Sequence, residues 1–430
     1  MLIRLVISNF SSIDKEVQFN MLTAWKKNFP HHIYKAEKVN ILKAAAIFGA
    51  NGAGKSTLID AFRHLQQWVR SGVIPLSVNN LKFRPNKKNE ELPIFFEIEF
   101  FTAGLFFVYG IQVDDNRIIK EYLCESGLKK LDKLIFKRSV DEMQTIDIEF
   151  ADRDMKLNTF LESGELKNNE LLISHSSIQT PQIQAARNWL SDEMIIISPT
   201  IGYRELLLKL CSSDDFLDYS NQLIETLDIC ISYIEVEKFD YDDLLAQDEY
   251  LLFPMYEIEE HKIVPTNKGK YFTTREYDKI IFNKITVFHP SIWNDPVGFD
   301  LAEESEGIQR LLEFFPIFFH IHDRANTIII DEINQSINPA LLKPIIEKFM
   351  GDRKTAGQLI FTTHDSTLLD LKLLREDEIW FAERDNKTGA TNYYPLSDFH
   401  YPEDLNIQTG YLKGRFGSIL DLAKFKHLKW

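Results

Sequence analysis

The sequence predicts an α/β fold with a mixed sheet, an antiparallel β subdomain and a mostly helical insertion, and three observations carry that expectation. An apolar run, Ala44-Ala45-Ala46-Ile47-Phe48, leads into a glycine-rich turn and then a helix. Strands and helices alternate through the last third of the chain, the pattern of a parallel sheet. Between them lie short aromatic strands and then leucine- and isoleucine-rich periodicity. The expected layout is an N-terminal lobe over residues 1–195, a mostly helical insertion over 196–285 and a C-terminal lobe over 286–430.

The turn reads Gly49-Ala50-Asn51-Gly52-Ala53-Gly54-Lys55-Ser56, followed by Thr57-Leu58-Ile59-Asp60-Ala61-Phe62. Glycines at its first, fourth and sixth positions let the backbone aim its N–H groups at a phosphate chain, where a side chain would obstruct the approach. Lys55 can reach the β- and γ-phosphates, the Ser56 hydroxyl can ligate Mg²⁺, and the positive end of the helix dipole favours the bound charge. This is a phosphate-binding P-loop and predicts binding of ATP or GTP. Gly49, Asn51, Gly52, Ala53, Gly54, Lys55, Ser56 and Thr57 form the expected nucleotide-binding set.

Composition bounds the rest. The 430 residues are 44% hydrophobic and 26% charged, ordinary for a folded soluble protein with room for an insertion. With 49 basic and 64 acidic residues the net charge is −15, which argues against broad adhesion to nucleic acid or an anionic membrane and leaves direct DNA binding open only to a local basic groove. Cys124, Cys211 and Cys230 are far apart with no Cys-x-x-Cys, so neither a disulfide framework nor a zinc site is supported. No signal peptide pattern and no run approaching the ~20 apolar residues of a membrane span is present. A cytoplasmic protein is expected.

Taken in order, Leu2–Ile7 and Glu16–Phe19 read as strands joined by a polar turn, and Leu58–Val69 as an amphipathic helix. Ile94–Phe101, Leu105–Val113 and Ile118–Leu123 form an antiparallel meander, extended by Leu134–Lys137 and Ile146–Phe150. The polar stretch after Leu171-Leu172-Ile173 is a place for a Q-loop touching Mg²⁺ or the attacking water, with Gln179 favoured and Ser174 and His175 as alternatives. Residues 203–233 read as one or two helices, and 237–284 as acidic and irregular. Later come a helix from Gly307 to His320, a strand Thr327–Ile330, a helix from Ala340 to Phe349 capped by Asn338-Pro339, a strand Gln358–Thr362, a helix from Ser366 to Leu374 and a strand Glu378–Glu383.

Thr327-Ile328-Ile329-Ile330-Asp331-Glu332 has the form of a Walker B segment: Asp331 would hold Mg²⁺ opposite Ser56, and Glu332 would accept a proton from the attacking water. His364 follows the next core strand, at the edge where ligands gather in parallel sheets, and is expected to contact the γ-phosphate. Lys55, Glu332 and His364 are thus the expected catalytic residues.

Glu304-Ser305-Glu306-Gly307-Ile308-Gln309 lies just before a helix. Its place in the order of parts resembles the ABC and SMC superfamily, in which an LSGGQ-like signature binds the γ-phosphate held by another subunit. Ser305 and Gly307 match that signature; Ile308 departs from its second glycine and Gln309 is displaced. Glu332, Asn334-Gln335-Ser336 and His364 match the catalytic glutamate, D-loop and switch histidine, with Asn334 where Asp is usual. The resemblance implies an ABC/SMC-head-like P-loop NTPase.

Further stretches narrow it: Ile7-Ser8-Asn9-Phe10-Ser11-Ser12, Asp331-Glu332-Ile333-Asn334-Gln335-Ser336-Ile337-Asn338-Pro339, Arg375-Glu376-Asp377-Glu378-Ile379-Trp380-Phe381 and Tyr411-Leu412-Lys413-Gly414-Arg415-Phe416-Gly417. They resemble the small ABC-type ATPases of bacterial abortive-infection and restriction-linked loci, AbiL/RloA-like and related to Septu, PARIS and OLD-type ATPase subunits. That implies a Mg²⁺-dependent ATPase, a homodimer or higher oligomer with ATP at its interface, a separately encoded effector protein or nuclease, and a phage-derived trigger. The alternative is an SMC/RecF-like head in DNA repair or DNA-end processing, which would want a basic channel or a long coiled coil.

Overall fold

All five residues of Ala44–Phe48 are buried, as a strand covered on both faces must be. In the computed structural model it lies inside a six-stranded sheet ordered Met194–Ile197, Thr327–Ile330, Gln358–Thr363, Ala44–Phe48, Ile379–Arg384, Thr391–Pro395. Every pair is parallel except the last, so the sheet is mixed, with one antiparallel edge strand. Register places Ile330 beside Phe361 and Thr363 beside Phe48, which brings the loops that follow these three strands to one edge. The structure describes residues 1–430 other than 25–28, 38, 128–130, 141–144, 152–165, 179, 198–203, 228, 248–258, 267–268, 294, 322–324, 336–338, 403–404 and 418–430.

The chain divides into two units, the first comprising 1–198, 323–333 and 346–430, the second 199–322 and 334–345. In the first, the helix Lys55–Ser71 buries Leu58, Ile59, Phe62, Leu65, Trp68 and Val69 at helical spacing and stops at Gly72, whose left-handed φ of 72° lets its N–H return to the Trp68 carbonyl. A seven-stranded antiparallel sheet runs Ile146–Phe150, Lys133–Val140, Arg117–Glu125, Leu105–Asp114, Ile94–Thr102, Leu2–Ser8, Val17–Asn20, containing the expected meander in order. One aromatic-rich core joins these elements: Phe100 stacks on Trp189 at 4.2 Å between centroids, and Trp68 meets Phe96 edge-on at 5.5 Å.

The second unit packs the helices Arg204–Ser212 and Asp214–Leu227 with strands Tyr233–Phe239, Ile263–Thr266, Gly269–Glu276, Lys279–His289 and Val297–Asp300. Within 196–285 the helices Arg204–Ser212, Asp214–Leu227 and Tyr241–Gln247 are therefore accompanied by four strands of an antiparallel sheet, which run through the stretch expected to be irregular. Polar residues on the buried side hid the alternation. Asn283 is fully buried and its amide nitrogen donates to the Phe272 carbonyl and to Thr274 Oγ1, both at 2.9 Å, so polar side chains occupy positions where apolar ones would announce a strand. Residues 248–258 of the stretch expected to be acidic and irregular lie outside the described residues.

Two helix expectations also change. Gly307–His320 is two helices, Glu306–Glu313 and Phe315–Ile321, broken where Pro316 lacks the N–H to continue the ladder. Ser366–Leu374 forms only a 3-10 turn at Ser366–Leu368, because Asp365 and Asp370 accept the N–H groups of Thr367 and Lys372, both at 2.9 Å, and so compete with helix formation. The helix Pro339–Gly351 is present; its expected cap, Asn338, lies outside the described residues. Among the described residues no helix is long and apolar enough to cross a membrane.

Candidate nucleotide-binding site

The P-loop leaves its strand at Gly49, where a Cβ would stand 2.7 Å from the Ala382 carbonyl oxygen of the neighbouring strand. Gly54 has φ +101°, and a Cβ there would overlap the Thr391 side chain. These two glycines are thus required by close approach of the chain to itself as well as by a ligand. Lys55 Nζ donates to the carbonyls of Gly49 at 2.7 Å and Ala50 at 3.2 Å, holding the ammonium across the loop that it would share with a phosphate chain.

The loop is braced from the antiparallel edge strand and the N-terminal turn. The Thr391 hydroxyl donates toward Ser12 Oγ at 2.8 Å and the Ala53 carbonyl at 3.2 Å, and the Tyr393 hydroxyl donates to the Gly54 carbonyl at 2.6 Å. Ser12 Oγ in turn lies 2.9 Å from Thr57 Oγ1. Fixing the loop beforehand removes ordering cost from ligand binding.

Across the edge, Thr362 joins the two Walker B acids. Its hydroxyl donates to Asp331 Oδ1 at 2.6 Å and accepts the Glu332 N–H at 2.7 Å. Glu332 has φ +51°, an uncommon left-handed conformation for a non-glycine residue, which directs its side chain out of the strand line. Lys55, Ser56, Thr57, Asn51, Gly52, Gly54 and Glu332 line one cavity of about 390 Å³, together with Ser11, Ser12, Asp60, Phe83, Pro85 and Arg384. A protein-family model described as "AAA domain, putative AbiEii toxin, Type IV TA system" matches residues 44–220 and 237–370, a span that contains the P-loop, Asp331, Glu332 and His364. The chain belongs to this AAA family.

This AAA chain is also similar to solved SMC heads. The SMC head domain from Thermotoga maritima is 12% identical, with 92% of this chain and 98% of that one covered and a TM-score of 0.41. An SMC head crystallised with the C-terminal winged-helix domain of ScpA is 12% identical, with coverages of 92% and 97% and a TM-score of 0.45. One from Pyrococcus furiosus, with an extended coiled coil, is 12% identical, with coverages of 96% and 98% and a TM-score of 0.40. No curated protein matches the chain.

The family and the P-loop together make this an ATP-binding protein of the P-loop ATPase type. Desolvation lowers the Lys55 ammonium below the usual lysine range, and the Glu332 and Asp331 carboxylates pull it partly back. The donor set also fits Mg²⁺, a hard cation that takes oxygen ligands: Ser56 is exposed in the first turn of the helix, and Thr362 occupies Oδ1 of Asp331, leaving Oδ2 for a metal or its water.

His364 is exposed immediately past the strand Gln358–Thr363, at the same edge as the P-loop. Ser305 and Gly307 belong to the second unit, where Ser305 Oγ accepts the Ile308 N–H at 3.4 Å at the start of the helix Glu306–Glu313. Gln179 lies outside the described residues. Ser174 is remote from the phosphate loop: its hydroxyl donates to the Val69 carbonyl at 2.7 Å, in the last turn of the helix that begins at Lys55 and roughly 20 Å along its axis. His175 follows in the same segment, its Nδ1 accepting the Ser177 N–H at 3.3 Å. Sequence reasoning missed Ser12, Arg384 and Thr391. Arg384 was legible as the last residue of a strand beside the P-loop strand; Ser12 and Thr391 carried no local signal, because a chain separation of 379 residues is closed only by the fold.

Proposed function

We propose that this chain is a Mg²⁺-dependent ATPase, closed by a second copy of itself, that acts in the cytoplasm as the regulatory subunit of an anti-phage defence system of the abortive-infection kind. The observation that carries the proposal is the shared cavity of Lys55 and Glu332, with Asp331 locked beside them by Thr362. Lys55 binds the ground-state phosphates, Ser56 and Asp331 hold the cation, Glu332 takes the proton of the attacking water, and His364 steadies the γ-phosphate. When bound, Mg²⁺ would offset charge on the β- and γ-phosphate oxygens. Ser305 and Gly307 of a facing copy would present a helix start to that γ-phosphate.

ATP-driven closure and its loss on hydrolysis would hold or release a separately encoded effector or nuclease in response to a phage-derived trigger. The family description supports this setting, and the AbiL/RloA, Septu, PARIS and OLD-type resemblance narrows it. Charge weighs against a DNA-repair head: the second unit has 24 acidic and 11 basic residues, a net −13, and the first has 40 and 38, a net −2. Residues 196–285 are the proposed partner-contacting segment.

The test is ATP hydrolysis and nucleotide affinity measured in parallel. Lys55→Ala is expected to lose ATP binding, and Glu332→Gln to keep it while turnover falls by at least 100-fold, on the order of the contribution of a positioned base. Rapid hydrolysis by Glu332→Gln would remove Glu332 from the reaction, and wild-type affinity in Lys55→Ala would remove Lys55 from phosphate binding.

A further inference from the structure

We infer that His289 is a positioning residue for the Ser305–Gly307 turn, acting through Glu304; the inference rests on the proposed role of that turn in a shared ATP site. Three carboxylates, Glu303, Glu304 and Glu306, crowd the turn that would receive a triphosphate. Left to themselves they would repel it. Each of the first two is drawn elsewhere. Glu303 Oε2 accepts the Asp300 N–H at 2.9 Å, closing a capping box around the 3-10 turn Leu301–Glu303. Glu304 Oε1 lies 2.6 Å from His289 Nε2, with the Glu304 side chain only 6% exposed.

His289 is well placed to hold it. It is the last residue of the strand Lys279–His289, paired with Val297, and its ring meets Phe299 edge-on at 5.3 Å, which fixes the ring plane. On the other side of Glu304, Gln309 Nε2 donates to the Glu304 carbonyl at 2.9 Å and to the Leu301 carbonyl at 3.3 Å. The backbone of Glu304 is thus tied to the helix and its side chain to the sheet, and Ser305 is the next residue. Among the described residues, His289 is the side-chain partner of this buried carboxylate. Without it the Glu304 side chain loses the donor that holds it inside, and turning out to solvent would carry Ser305 with it.

His289→Phe keeps an aromatic ring against Phe299 and removes the donor, whereas His289→Gln keeps a donor at the position of Nε2. In nucleotide-free protein, hydrogen exchange over 301–311 is expected to accelerate at least tenfold in His289→Phe and to stay within threefold of wild type in His289→Gln, with melting curves confirming that both fold. ATP-driven association in the Glu332→Gln background should then need at least tenfold more ATP with His289→Phe than with His289→Gln. Unchanged exchange in His289→Phe, or a loss equal in both variants, overturns the positioning role. If wild type neither associates nor hydrolyses ATP, the shared-site reading fails; the exchange comparison still decides whether His289 orders the turn. Should neither His289 variant fold, Glu304→Gln, which retains an acceptor for Nε2, is expected to keep slow exchange, and fast exchange there overturns the proposal.

Discussion

Thr362 shows how one side chain settles the orientation of two acids. Its hydroxyl serves Asp331 as donor and the Glu332 N–H as acceptor, and so stabilises a left-handed backbone at Glu332 that costs on the order of 1–3 kcal/mol. Thr362→Val keeps the shape and removes both bonds. It is expected to lower stability by about 1–3 kcal/mol and turnover by more than tenfold, with ATP affinity within a few-fold of wild type, as read by thermal melting, steady-state hydrolysis and fluorescent-nucleotide titration. Lys55 supplies a pH signature. Its ammonium is depressed by burial, so the free protein loses that charge at a lower pH than an exposed lysine would, whereas a bound triphosphate favours the charged form. ATP affinity should therefore hold below the depressed value and fall as pH rises through it. Titrations of ATP affinity across the alkaline range should show this limb in wild type.

At the scale of the element, the P-loop is shaped as much by the strand Thr391–Pro395 as by its own glycines. Gly52, at φ +79°, has nothing within 4 Å of an added Cβ, so in the nucleotide-free protein Gly52→Ala carries only the left-handed backbone cost, about 1–2 kcal/mol. Gly54→Ala adds a clash with Thr391 to the same kind of strain. Nucleotide affinity is expected to fall more than tenfold further in Gly54→Ala than in Gly52→Ala. Equal losses in nucleotide titrations would mean that Thr391 yields freely and does not brace the loop. The segment Leu171–Ser174 illustrates the reverse case, an element set by remote partners: Glu121, fully buried, accepts the Leu172 and Ile173 N–H groups at 2.8 and 3.0 Å and the Tyr109 hydroxyl at 3.0 Å. That anchorage holds Ser174 at the far end of the P-loop helix.

At the scale of the whole molecule, the proposed ATP site is completed by a second copy. Lys55→Ala is expected to abolish phosphate binding in its own first unit, and Ser305→Arg would place bulk at the turn proposed to meet a facing copy. Each variant alone should be inactive. Mixing them allows a dimer with one intact composite site, and partial recovery of hydrolysis is expected, up to about a quarter of wild type on random pairing with independent sites. Zero activity with mixed dimers demonstrated by mass would exclude independent shared sites. Full activity in a strictly monomeric wild type would end the shared-site reading.

Read alone, the sequence determined the strand, glycine loop and helix around Gly49–Lys55, the core strand that runs into Asp331 and Glu332, the other central strands and the antiparallel meander. Each of these is a local pattern whose cause is local: glycines where the backbone must turn on an anion, acids at a strand end, apolar residues at a period of two or in an unbroken run. The same reasoning failed between Tyr233 and Asp300, because Thr273, Thr274 and Asn283 are buried polar residues whose hydrogen bonds reach neighbouring segments, and no single-chain pattern reveals such partners. It also could not place Ser12, Thr362 and Thr391 around the site or His289 beside Glu304. Those pairings depend on strand order and register, and they arise only when residues distant along the chain are brought within hydrogen-bonding range by a shared core.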